Sequence, residues 1–186
     1  MKSIRSEPFL QIGVLIALMF IIHAVNAASG GWPIQYGIIP RTILGLRGIA
    51  FSPLVHGDLN HLLANVPPLA VMLGLLSLNK PRSFWAITAG LWLFSGAVVW
   101  LIGRPGSVQI GASGLIYGLA AYLITAAWTT RDVRSAVVAL IVVFFYGGIV
   151  WGLLPTQPGV SWEGHLSGAG AGFLVARLAG RRTPVR

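Results

Sequence analysis

The sequence predicts an all-α integral membrane protein, a bundle of six membrane-spanning helices with a long interfacial segment after the first. Apolar residues make up 55% of the 186 residues and charged residues only 9%, whereas soluble domains carry about 25% charged residues. Six apolar segments approach the ~20 residues that a helix needs to cross about 30 Å of hydrocarbon. The basic residues are also distributed unevenly around these segments, as in membrane proteins with a fixed orientation.

The six predicted spans leave short connections, except between the first and the second. They lie near residues 9–28, 59–78, 84–103, 113–128, 136–154 and 162–180. We therefore expect residues 1–186 to form a single membrane domain.

The basic residues predict that both termini lie on the inner side. In this orientation the inner side carries ten basic residues and the outer side only Arg41, Arg47 and Arg104, which satisfies the positive-inside rule. The inner set is Lys2, Arg5, Lys80, Arg82, Arg131, Arg134, Arg177, Arg181, Arg182 and Arg186. The net charge of +9 thus reflects membrane topology, and we expect no nucleic-acid partner. The sequence has no organelle transit pattern, which favours a bacterial cytoplasmic membrane.

The first span has an alternative interpretation. Lys2 and Arg5, an apolar stretch and then Val25-Asn26-Ala27 also fit a cleavable secretory signal. Cleavage would leave five helices in the same orientation.

The segment of residues 29–58 is rich in glycine and proline, yet too apolar for a water-exposed loop. We expect it to lie in the outer membrane interface, partly as short amphipathic helices.

A serine begins the fourth predicted span, in Gly111-Ala112-Ser113-Gly114. The span from Ser113 to Trp128 is shorter than the membrane core, so Ser113 is expected below the outer surface. A helix N-terminus offers unpaired N–H groups and a positive dipole end, which suit an oxyanion. The alternative is a packing role, because Gly114 and Gly118 form a GxxxG motif.

A histidine lies near the start of the sixth span, in His165-Leu166-Ser167-Gly168. Gly168 and Gly172 lie on its helix face, so a second helix can approach His165 closely. The best partner is the fourth span, because both helices enter from the outer side and place Ser113 and His165 at similar depth.

His61 and Asn65 share one face near the outer end of the second span, where both can donate hydrogen bonds at the depth of Ser113. The alternative is that they only join helices. Pro67-Pro68 should perturb this helix, and we interpret His23 and His56 as structural.

In this order and on these helices, the motifs resemble the rhomboid family of intramembrane serine proteases. The resemblance rests on His61-x-x-x-Asn65, Gly111-x-Ser113-Gly114-x-x-Tyr117 and His165-x-x-Gly168-x-x-x-Gly172. It covers nearly the whole chain, and it implies a rhomboid-like bundle that cleaves transmembrane-helix substrates near the outer membrane face.

The resemblance also implies residue roles, with Ser113 as nucleophile and His165 as its base. The oxyanion would be stabilised by the side chains or backbone N–H groups of His61, Asn65, Ala112 and Ser113. Supporting roles would fall to Tyr117, which packs beneath the histidine ring, and to Gly111, Gly114 and Gly168.

We expect a Ser–His dyad without a third carboxylate, because Glu163 is two residues from His165 and Asp58 lies at the start of the second helix. The loop 155–161 is expected to cap the site, and the fifth helix is a plausible lateral gate.

Two non-protease interpretations remain at this point, a catalytically silent binder of membrane helices and a small transporter. Few polar residues in helices 1, 3 and 5 disfavour transport. We expect no metal and no cofactor, since the chain has no cysteine and no HExxH motif. The partners expected are the lipid bilayer and membrane-protein substrates, and no residue pattern indicates an oligomeric state.

Overall fold

The computed structural model describes residues 7–156 and 159–180, and within them it contains helices and connections but no strand. The basic residues predicted to be inside at positions 2, 5, 181, 182 and 186 therefore lie outside the described residues. The α-helices are α1 (Glu7–Ala28), α2 (Gly48–Phe51), α3 (Leu59–Asn79), α4 (Phe84–Ile102), α5 (Ser113–Thr130), α6 (Val133–Tyr146) and α7 (Trp162–Gly180).

A long helix lies at each of the six predicted positions, and four helical segments of the described chain are long and apolar enough to cross a membrane. These four are Glu7–Ala28, Leu59–Asn79, Phe84–Ile102 and Val133–Leu153. The helices outside this group, α5 and α7, carry the glycine-rich motifs with Ser113 and His165. The same small and polar residues that mark a candidate site lower the hydropathy of these two helices.

The fifth predicted helix, placed at 136–154, has different bounds in the structure. α6 begins at Val133 because the Asp132 carboxylate accepts a hydrogen bond from the Ser135 N–H at 2.8 Å, a standard N-cap. It ends at Tyr146 and continues as a 3₁₀ helix over Gly147–Leu153. Two consecutive glycines, each costing about 1 kcal/mol relative to alanine in a helix, weaken the α-helix at this point.

The segment between α1 and α3 is folded into α2 and three 3₁₀ helices, Trp32–Tyr36, Leu44–Arg47 and Ser52–Leu54. Arg47 holds it together: its guanidinium donates to the Gln35 carbonyl at 2.9 Å and lies 4.5 Å from the centre of the Tyr36 ring. Ile38 and Gln109 exchange two backbone hydrogen bonds of 2.9 and 2.8 Å. The segment is thereby attached to the turn that leads into α5.

Glycines bring α5 and α7 into backbone contact. A Cβ atom at Gly168 would overlap the Gly114 carbonyl, and one at Gly172 would overlap the Gly118 carbonyl. Among the described elements α5 contacts α7 more extensively than any other pair. The predicted association of these two glycine faces therefore fixes the relative position of Ser113 and His165.

The second predicted helix is continuous despite its two prolines. α3 begins after Asp58, whose carboxylate accepts from the His61 N–H at 2.9 Å, and runs through Pro67 and Pro68 to Asn79. The expected disruption at the prolines therefore does not end the helix.

Candidate active site

A cavity of about 700 Å³ lies between α3, α5, the 3₁₀ helix after α6 and the start of α7. Side chains from three separate sequence motifs line it together: His61, Asn65, Ser113, Tyr117 and His165. Gly159, Val160 and Ser161, from the loop expected to cap the site, contribute to the wall, whereas residues 157 and 158 of that loop lie outside the described residues.

Ser113 is the first residue of α5, and Ala112 precedes the helix at the N-cap position. The backbone N–H groups of Ala112 and Ser113 have no hydrogen-bond partner among the described residues. Unpaired N–H groups are expected in the first turn of a helix, and here they lie beside the cavity that Ser113 lines. This turn can therefore donate hydrogen bonds to an anionic oxygen.

Gly111 shapes the turn that delivers Ser113. Its φ of 103° is accessible mainly to glycine, and its N–H donates to the Ser52 carbonyl at 2.9 Å. A Cβ atom at Gly111 would lie 2.6 Å from Nε2 of His61. The missing side chain thus allows the His61 ring to pack directly against the turn.

His165 is buried, with 8% of its surface exposed, and one hydrogen bond fixes its tautomer. Its Nδ1 lies 2.8 Å from the Gly152 carbonyl oxygen. Because a carbonyl can only accept, the neutral ring carries its proton on Nδ1 and keeps a free lone pair on Nε2. In this tautomer Nε2 is the nitrogen that can accept a proton, as a general base requires.

Tyr117 supports the histidine ring from one face. The two rings are stacked, with centroids 4.1 Å apart and planes inclined by 9°. The Tyr117 hydroxyl donates to the Ile149 carbonyl at 2.6 Å. Both rings are therefore held by carbonyl groups of the same 3₁₀ helix, Gly147–Leu153.

The roles of Ile149 and Gly152 were not predicted from the sequence, because both residues contact the two rings through backbone carbonyls. Two sequence features could have indicated an irregular backbone here: the Gly147-Gly148 pair, which weakens an α-helix, and the glycine at position 152. A Cβ atom at Gly152 would overlap the Tyr117 hydroxyl and lie 3.1 Å from Nδ1 of His165.

His61 and Asn65 are held by backbone contacts of α3. Asn65 is 4% exposed and donates from Nδ2 to the His61 carbonyl at 2.8 Å. Because a carbonyl only accepts, the Asn65 atom in this bond is the amide nitrogen Nδ2. This nitrogen carries a second N–H group, which remains available to donate.

His56 lies behind His61 and is fully buried, with the two rings edge to face at 5.0 Å. Burial, with a smaller contribution from His61, lowers the pKa of His56 to about 4. His56 is consequently neutral at pH 7, in keeping with a structural role.

The two acidic residues near the site are engaged elsewhere. Oε1 of Glu163 lies 2.8 Å from Nε of Arg104, and Asp58 caps α3. Within residues 7–156 and 159–180, no carboxylate is hydrogen-bonded to His165, and no cluster of three histidine or acidic side chains could hold a metal ion.

Ser113 and His165 share the cavity wall, but the described hydrogen bonds do not include one between them. A second cavity of about 40 Å³ lies on the other side of Ser113, with walls that include Ser52, Ser95 and Gln109. This volume accommodates a water molecule, and its polar walls can bind one.

Comparisons with known proteins agree with the architecture. The family model for the rhomboid domain matches residues 45–182. An uncharacterized protein of Mycobacterium tuberculosis is 41% identical over 172 residues, covering 88% of this chain and 71% of the relative. An uncharacterized protein of Mycobacterium leprae is 40% identical over 171 residues, covering 88% and 68%. Rhomboid-type serine protease 2 of Eremothecium gossypii is 28% identical over 170 residues, covering 88% and 64%. The match to the family model over most of the chain shows that this protein is a member of the rhomboid family.

Proposed function

We propose that this protein is an intramembrane serine endopeptidase that cleaves transmembrane-helix substrates near the outer membrane face. The observation that carries the proposal is the 700 Å³ cavity, whose wall combines Ser113, His165, His61 and Asn65. Family membership and the serine protease named among its relatives support the same activity.

In the first step Ser113 attacks the scissile carbonyl carbon while Nε2 of His165 takes the hydroxyl proton. A serine hydroxyl is a weak nucleophile at neutral pH and needs such a base. The Gly152 carbonyl keeps the other ring nitrogen protonated, so it fulfils the orienting role that an aspartate has in a catalytic triad.

The negative oxygen of the tetrahedral intermediate lies against the start of α5. The N–H groups of Ala112 and Ser113 are free to donate to it, and the second Asn65 N–H and the His61 ring add side-chain donors. His165 then protonates the leaving amine, an acyl-enzyme remains, and a water molecule activated by His165 hydrolyses it. The 40 Å³ cavity next to Ser113 is a suitable place for that water.

We also propose that the chain is a single domain with six spans, both termini inside and the active site open to the outer side. Five described basic residues support this orientation, because they lie in or next to the helix ends opposite Ser113: Lys80, Arg82, Arg131, Arg134 and Arg177. The mycobacterial relatives favour a bacterial cytoplasmic membrane.

The test is co-reconstitution of the protein in liposomes with a panel of single-span reporter helices. We expect wild type to generate new peptide termini near one membrane face, detected by mass spectrometry, and Ser113→Ala to generate none. Co-purification of a reporter with wild type, without any cleavage across the panel, would instead identify a silent binder of membrane helices.

A further inference from the structure

A second large cavity lies at the inner end of the helix bundle, remote from Ser113. It has a volume of about 500 Å³ and is formed by the connection between α3 and α4, the end of α5 and the end of α7. Polar side chains from the α3–α4 connection and from α5 line one part of the cavity: Lys80, Ser83, Tyr122, Thr129 and Thr130.

Lys80 and Tyr122 offer hydrogen-bond donors in this cavity. The Lys80 amine lies 4.0 Å from an Asp132 oxygen, a distance that leaves most of its donor capacity available. Tyr122 is only 2% exposed overall, and it lines the same cavity. An ammonium group and a phenol hydroxyl on a cavity wall can both donate to a ligand that carries an acceptor group.

An apolar groove of about 450 Å³ adjoins the cavity, and Val175 and Leu178 line both. The groove continues between α4 and α7 past Gly90, Phe94 and Phe173. Along α4, the distance from the inner end at Phe84 to Phe94 corresponds to about 15 Å of helix. A cavity with a partly polar wall thus continues into an apolar groove that points toward the membrane interior.

The excess of basic residues at the inner end of the bundle favours an anionic ligand. Arg82, Arg131, Arg134 and Arg177 are exposed here together with the partly exposed Lys80, whereas Glu7 and Asp132 are the acidic residues of this end. Basic pockets between helices on the inner side of a membrane are typical sites for acidic lipid headgroups.

We propose that the cavity and groove together bind one anionic phospholipid, with its phosphate at Lys80 and Tyr122 and one acyl chain between α4 and α7. The proposal concerns a face opposite the candidate active site and does not depend on the serine chemistry.

The test measures lipid retention by the full chain with native mass spectrometry after release from nanodiscs. The nanodiscs contain equal amounts of phosphatidylglycerol and phosphatidylcholine. We expect wild type to retain one phosphatidylglycerol in preference to phosphatidylcholine. Lys80→Gln should retain it about fivefold less, since a basic residue near an anionic lipid contributes about that factor.

Gly90→Leu tests the groove independently of charge. A Cβ atom at Gly90 meets nothing within 4 Å, so a leucine there can extend into the groove and should occupy the space of the acyl chain. The matched control is Gly13→Leu, because Gly13 is equally unobstructed but lies on α1. Arg134→Gln is the charge control, since Arg134 is exposed at the same end but does not line the cavity.

We expect both controls to retain phosphatidylglycerol as wild type does, and Gly90→Leu to lose it. Equal retention of the two lipids by wild type would contradict the proposal, as would unchanged retention in both Lys80→Gln and Gly90→Leu. Displacement of the lipid by millimolar inorganic phosphate would show a site for free anions and would also overturn it.

Discussion

At the residue scale, the central arrangement is a histidine whose tautomer is set by a backbone carbonyl. The bond from Nδ1 of His165 to Gly152 is 2.8 Å long, and the Tyr117 ring stacks on the other side. A neutral carbonyl stabilises the imidazolium less than a buried carboxylate does, but its hydrogen bond also fixes the orientation of the ring. The proposed dyad therefore does not require an acidic third member.

Gly152→Ala should reduce turnover by roughly 10², the lower limit of what a positioned general base contributes. The new Cβ atom would overlap the Tyr117 hydroxyl and displace the two stacked rings. The measurement is kcat on a cleaved reporter helix. Gly148→Ala is the matched control, because a Cβ atom there meets nothing within 4 Å, and equal rates in the two variants would rule out this role for Gly152.

Asn65→Ala tests the side-chain donor to the oxyanion. A single donor of this kind contributes about 10²–10³ in kcat, so we expect a loss of that size with a folded protein. Asn60→Ala removes an exposed asparagine from the same helix and should turn over normally. Wild-type kcat in Asn65→Ala would remove Asn65 from the mechanism.

The buried His56 makes stability depend on pH. Its pKa is about 4 in the folded protein and about 6.5 in an unfolded chain, so the unfolded state binds more protons between these values. Stability is therefore complete above pH 6.5 and decreases as the pH falls toward 4, by up to roughly 3 kcal/mol. In thermal unfolding in detergent, His56→Gln should show a smaller loss of Tm between pH 7.5 and 5 than wild type. A parallel loss in both proteins would assign the pH dependence to other groups.

At the element scale, contact between the backbones of α5 and α7 positions the candidate dyad. Ser113 lies at the start of α5 and His165 in the first turn of α7. The glycines between these helices therefore determine the distance between the two side chains, although they take no part in the chemistry.

Gly168→Ala should destabilise the protein by about 1–3 kcal/mol, the usual cost of overpacking, and should also abolish activity. Its Cβ atom would overlap the Gly114 carbonyl and separate the helices. Gly170→Ala lies on the same helix with nothing within 4 Å and should be neutral or slightly stabilising. The measurements are the Tm of thermal unfolding and kcat for both variants. Equal Tm values for Gly168→Ala and Gly170→Ala would contradict the predicted clash between α5 and α7.

The helix positions could be predicted from sequence because apolar runs are local signals. The pairing of α5 with α7 was also predictable, since Gly114 and Gly118 on one helix and Gly168 and Gly172 on the other are each four residues apart and form faces that allow close approach. The 3₁₀ helix at Gly147–Leu153 was not, because its carbonyls act on Tyr117 and His165 in other helices. Every residue type carries a backbone carbonyl, so the sequence does not indicate which carbonyls contact the site. The exception is Gly152, where a Cβ atom would overlap the Tyr117 hydroxyl.

At the scale of the whole molecule, the proposed protease mechanism requires an orientation that places Ser113 toward the outer side. The chain contains no cysteine, so a single introduced cysteine is labelled without background. Ser107→Cys, in the connection before α5, should react with a membrane-impermeant maleimide on intact cells. Arg134→Cys, at the opposite end, should react only after lysis, and the reverse pattern would invert the topology.

Labelling with a fluorophosphonate probe in liposomes tests whether Ser113 is a nucleophile activated by His165. We expect wild type to be labelled at Ser113, and folded Ser113→Ala and His165→Ala to remain unlabelled. Ser161→Ala, which removes another serine from the same cavity, should still be labelled. If folded wild type remained unlabelled while an active rhomboid protease reacted in parallel, Ser113 would not be an activated nucleophile. If His165→Ala were labelled as fast as wild type, His165 would not be its base.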